Sequence, residues 1–148
     1  MNPETVSAIA NLLNLGGTNY TVFLRSSAVS LADDCPSAEL VRAALGTAAV
    51  IGGTRSIGRD ELLDEVRASL SYAGDAGAGP APGVVESARF TELLATLTTE
   101  LRAACDGATD IEQFRLEAGH PAYPVFWDFA FLVRNKTESH VLVGSSSD

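Results

Sequence analysis

Val125-Phe126-Trp127-Asp128-Phe129-Ala130-Phe131-Leu132-Val133-Arg134 decides how the chain is read. Val125, Trp127, Phe129, Phe131 and Val133 alternate with Phe126, Asp128, Ala130, Leu132 and Arg134. A two-residue period carried by aromatic and β-branched side chains marks a strand. Both sets are apolar apart from Asp128 and Arg134, so both faces of this strand must be covered. That places it at the centre of a sheet. Downstream, Asn135 and Lys136 fit a hairpin turn, and Ser139 to Val143 returns as the partner strand. Upstream, Ile111 to Glu117 alternates weakly. Tyr20, Val22 and Leu24, within Asn19 to Arg25, alternate clearly. The expected sheet is antiparallel, with about four strands formed mainly by the last forty residues.

The rest of the chain reads as about four helices, mostly N-terminal. Val6, Ile9, Ala10 and Leu13 share one face of a helix from Pro3 to about Leu15, which Gly16-Gly17 stops. Asp33-Asp34-Cys35-Pro36 is a helix entry, followed by the stripe Leu40, Val41, Ala44, Leu45 and Ala48. Thr47 to Ile51 fits either the end of that helix or a short strand, and Gly52-Gly53 ends it in both cases. A third helix starts near Gly58, with Glu61 at a capping-box position and Leu62, Leu63, Val66 and Leu70 buried. The fourth runs from Val84 to Cys105, with Gly107 as its cap. Helices followed by an antiparallel sheet make an α+β fold. Residues 1–148 are expected to form a single domain, with a flexible Gly/Ala/Pro loop at 73–83.

Composition sets limits on function. The chain has 148 residues, 46% hydrophobic and 20% charged, with a formal net charge of −9. Its pI is about 4.6 and its mean hydropathy +0.14. That apolar fraction excludes a disordered chain, and its length provides core enough to need no disulfide or metal staple. No run approaches the roughly 18 apolar residues of a membrane span. Nucleic acid and anionic membranes call for cations, and here acids outnumber bases by 19 to 10. A basic protein partner is compatible with the charge, and a homo-oligomer with the composition. Cys35 and Cys105 have no metal-ligand spacing and read as free thiols. The start Met1-Asn2-Pro3-Glu4 lacks a signal peptide's features, which points to the cytoplasm.

Two short stretches resemble known families. Ile51-Gly52-Gly53-Thr54-Arg55-Ser56-Ile57-Gly58-Arg59 resembles the glycine-rich turn of short-chain dehydrogenases, which cradles a dinucleotide. It departs where that turn needs a glycine (Ser56) and a threonine (Ile51). No Tyr-x-x-x-Lys follows either, since Leu132 lies four residues before the sole lysine, Lys136. The stretch is read as a loop leading into the Leu62 helix, and no cofactor is expected. Ile57 to Arg67 resembles the helix that precedes the recognition helix in response-regulator winged-helix domains. A Gly/Ala/Pro segment follows it in place of a basic helix, so DNA binding is not expected.

The candidate site lies around His120-Pro121-Ala122-Tyr123-Pro124, with Trp127 and Asp128. Two prolines stiffen a loop that feeds the central strand. Histidine, tyrosine and tryptophan beside a rigid loop suit a recognition surface. Asp128 on an otherwise apolar strand must either be buried and paired or line a pocket, because a lone buried carboxylate is costly. Arg115, across one hairpin, is the expected partner. His120, Asp128 and His140 have the residue types of an iron or zinc site but no local ligand spacing, so no metal is expected. Gly144-Ser145-Ser146-Ser147-Asp148 reads as a frayed polar tail rather than part of a Ser–His–Asp site. The resulting expectation is a small non-enzymatic protein-binding module that acts by occluding its partner. Immunity proteins are an analogy of class only. Its binding residues would be Arg115, His120, Tyr123, Trp127 and Asp128. The alternative is a small-molecule or metal-binding domain, enzymatic or not, with its site near His120 and Asp128.

Overall fold

The computed structural model describes residues 1–30, 34–120 and 123–148. Among them are four helices: α1 (Pro3–Asn14), α2 (Ser37–Leu45), α3 (Arg59–Leu70) and α4 (Ala88–Asp106). The strands are β1 (Thr21–Val29), β2 (Val50–Ser56), β3 (Asp110–Ala118), β4 (Trp127–Arg134) and β5 (Ser139–Ser147). They form one sheet in the order β1-β5-β4-β3-β2, and each neighbouring pair is antiparallel. The fold is α+β, but the sheet has five strands rather than four. Its two edges, β1 and β2, come from the N-terminal half of the chain. The expected order of helices first and sheet second is corrected to an interleaved one.

β2 accounts for most of that difference. Thr47–Ile51 is resolved as the approach to a strand, and Gly52-Gly53 does not end it. The strand runs on to Ser56 because its main chain pairs with β3, with Gly53 opposite Arg115 and Ser56 opposite Glu112. A ladder of that length outweighs the low strand propensity of two glycines. The stretch that resembles a dinucleotide-binding turn is therefore mostly strand.

Helices cover both faces, as the apolar pattern of β4 requires. On one face α1, α3 and α4 pack Ile9, Leu62, Leu97 and Leu101 against Phe129, Phe131 and Val133. On the other, α2 packs Leu40, Val41 and Ala44 against Phe114, Leu116, Ala130 and Leu132. Caps define the helix ends. The Asn2 side chain accepts from Glu4 N at 2.9 Å, and Ser87 Oγ accepts from Phe90 N at 3.2 Å. Gly58 is the N-cap of α3, but Glu61 does not close a capping box. Its carboxylate pairs with Arg55 at 2.7 Å. Asp33 of the helix entry lies outside the described residues.

Two further readings meet the structure differently. The 144–148 segment is no frayed tail: β5 continues to Ser147 between β1 and β4, with Ser145 and Ser146 buried. The 73–83 segment carries two main-chain bridges, Thr18 to Gly79 and Asp75 to Ala78. Gly74 and Gly79 approach closely there, and an added Cβ on Gly74 would lie 2.6 Å from Gly79 Cα.

Candidate functional site

The ladder between β3 and β4 is shorter than either strand. Pairing runs from Asp110↔Arg134 to Gln113↔Phe131 and stops. Beyond that point both strands continue, β3 to Ala118 alongside β2 and β4 back to Trp127 alongside β5. Between them opens a cleft of about 420 Å³. Gly52, Gly53, Glu65, Gln113, Arg115 and Asp128 are among the residues that line it.

The lip of the cleft is shaped by irregular pairing. Ile51 opposes Leu116 and Gly53 opposes Arg115, so Gly52 is an extra residue on β2. Val50 opposes Ala118, so Glu117 is extra on β3. Bulges of this kind bend a strand and re-aim its side chains. The Glu117 side chain lies across the space that a Cβ on Gly52 would fill, so a larger residue there would have to displace it.

Arg115 and Asp128 both line the cleft but form no ion pair among the described residues. Gln113 reaches Glu65 of α3, and Arg115 and Asp128 stand on different strands on the two sides of the cleft. The split ladder separates them further. Arg115 instead meets Glu117 at 3.5 Å, with its side chain 72% exposed, and Asp128 is exposed. The expected buried pair exists with other members. Arg134 Nε donates to Glu112 Oε1 at 2.6 Å beneath α2, the two side chains 12% and 10% exposed. Ser37 Oγ donates to Glu112 at 2.7 Å and accepts from Arg134 Nη2 at 2.7 Å. The apolar strand pattern flagged Asp128. What marks Glu112 in the sequence is only a weakly alternating stretch.

Glu65 is the cleft residue that sequence reading missed. It projects from α3 and accepts two hydrogen bonds from Gln113 Nε2, at 2.7 and 2.8 Å. Burial raises its pKa above the ordinary value, and the negative charges of Glu61 and Asp128 add to the rise. The Arg55 charge and the Gln113 hydrogen bond oppose it. On its helix Glu65 is one acid among several, and only the tertiary structure aims it at the sheet.

His120 follows Gly119, which has a left-handed φ of +78°. Its Nε2 lies 2.7 Å from the Leu116 carbonyl, a contact in which the ring nitrogen donates. His120, Asp128 and Ser145 also line a second cavity of about 10 Å³, room for about one water. Tyr123 is 81% exposed and Val125 50%. Trp127 turns inward: its Nε1 donates to the Tyr20 hydroxyl at 2.9 Å, and its ring stacks on Phe129 at 5.7 Å and 9°. Pro121 and Ala122 lie outside the described residues.

His140 stands apart from this group. It opposes Val133 and Ala28 within the sheet, whereas Asp128 opposes Ser145. Burial lowers its pKa. Among the described residues no group of three or more His, Cys, Asp or Glu could hold a metal ion. Burial raises the pKa of both Cys35 and Cys105, and at Cys35 the Glu39 carboxylate adds to the rise. No described helix is long and apolar enough to cross a membrane.

No protein-family model matches the sequence, and no curated protein is significantly similar to it. Among solved structures, the crystal structure of citrus MAF1 is similar to this chain at 14% identity over 99% of each, with a TM-score of 0.40. A likeness that slight carries no argument about what this chain does.

Proposed function

We propose that this chain is a binding module whose ligand enters the cleft between β3 and β4. One observation carries the reading: two central strands part while still extended, and the opening is lined by charged side chains and glycine main chain. Its volume of about 420 Å³ lies within the roughly 300–1,000 Å³ of ligand sites. The exposure of Asp128 and Arg115 supports a pocket role over a structural ion pair. An amide NMR titration with free amino acids and small carboxylates tests it. Shifts confined to Gly52, Gly53, Gln113, Arg115 and Asp128–Ala130, weakened in Arg115→Gln and Asp128→Asn, are expected. A cleft silent to every probe overturns the reading.

A second reading, occlusion of a basic protein partner, is favoured by the exposure of Tyr123 and Val125 on an acidic chain. Tyr123 is then the anchor, and Tyr123→Ala weakens partner binding by about 2 kcal/mol or more. A folded alanine variant that binds equally well removes that anchor.

A further inference from the structure

The main chain on either side of the cleft is unusual for the interior of a sheet. Among the described residues, 114–116 and 118 of β3 are paired only toward β2, and residues 127–130 of β4 only toward β5. Among the described residues, the strand edges that face each other across the cleft therefore lack a ladder partner. Main-chain donors and acceptors inside a protein need partners, and an open edge is a template for another strand. At one point a side chain supplies the partner, since His120 Nε2 lies on the Leu116 carbonyl at 2.7 Å. The charges point in one direction. Glu65 and Asp128 line the same cleft, and neither forms an ion pair among the described residues. Two guanidiniums also line the cleft, but each meets another acid, Arg55 with Glu61 at 2.7 Å and Arg115 with Glu117 at 3.5 Å.

We propose that the occupant of this cleft is an extended polypeptide segment with a Lys or Arg side chain, hydrogen-bonded to the open edge of β3 or β4, its cation beside Glu65 and Asp128. The inference rests on the reading of the cleft as the binding site and names the ligand class. A strand added to an edge draws affinity from main-chain hydrogen bonds and specificity from alternate side chains. A basic segment also suits the net charge of −9. The five edge residues of β3 (114–118) extend over about 17 Å, the length of an ordinary short strand.

The probes are acetyl-Val-Thr-Lys-Thr-Val-amide, the same peptide with glutamate in place of lysine, and the lysine peptide N-methylated at alternate amides. The readout is an NMR titration of the full chain. The lysine peptide is expected to shift the amides of Gly53, Phe114–Leu116 and Asp128–Ala130. The glutamate and N-methylated peptides bind at least about tenfold more weakly, a difference of about 1.4 kcal/mol. Glu65→Gln with Asp128→Asn abolishes the preference for lysine but leaves the N-methylation effect. Equal binding of the methylated peptide overturns the proposal. So does a cleft that answers amino acids or small carboxylates but no peptide, which leaves the binding-site reading intact. Silence toward all probes overturns both.

Discussion

Glu112 and Arg134 sit side by side under α2, and Ser37 bridges them. Removing one member of such a pair leaves the other charged and unsatisfied in a nearly dry place. Arg134→Met is therefore expected to lower stability by about 3–5 kcal/mol in urea unfolding. Glu112→Leu combined with Arg134→Met costs less than that single change, because no lone charge remains. Glu65 behaves in the opposite sense. Its carboxyl pKa is raised in the folded state, mainly by burial. Its contribution to stability is fully present below the ordinary carboxyl pKa and is lost as pH rises through the raised value. Glu65→Gln is thus expected to melt higher than the parent chain near pH 7, with the gap closing by pH 4 in paired thermal melts. A gap that widens toward pH 4 contradicts the assignment. In both cases the residue types were visible in the sequence but their partners were not: the register of β3 on β4 decides which acid meets Arg134, and the packing of α3 on the sheet brings Glu65 to Gln113.

At the scale of elements, α4 is the helix whose ends depend most plainly on local chemistry. Ser87 accepts from Phe90 N and donates to the Val84 carbonyl at 2.6 Å, fixing both the start of the helix and the turn before it. Ser87→Ala is expected to cost about 1 kcal/mol, measured by chemical denaturation. An unchanged midpoint would mean that the preceding turn holds the helix start by itself. Every helix was legible in advance because its apolar side chains recur at three- and four-residue steps. The strands were legible in proportion to their burial. β4 declared itself through two apolar faces, whereas the edge strand β2 carries Gly52 and Gly53 and is largely exposed. The end of β5 was misread for a related reason: Ser145 and Ser146 are polar in type, yet neighbouring strands bury them on both sides.

At the scale of the whole molecule, the split in the sheet should be visible in hydrogen exchange. Alternate amides of residues 114–118 and 127–130 point toward the cleft and are expected to exchange much faster than those of Ile111–Gln113 and Phe131–Val133. Uniformly slow exchange along β3 and β4 would mean that the ladder closes in solution. By itself, the sequence determined the α+β class, the four helices, the central position of β4 and the covering of both its faces. All of these follow from hydrophobic period and end signals, which are local. It also marked Asp128, His120 and Tyr123 as residues out of keeping with a core strand and its approach. Only the tertiary structure decided that the N-terminal half supplies both edges of the sheet. It alone brought Arg134 to Glu112 and left Arg115 without Asp128. The cleft that Glu65 faces is also its doing. Strand pairing and ladder length depend on which main chains meet across large sequence separations, and a local pattern carries no record of that.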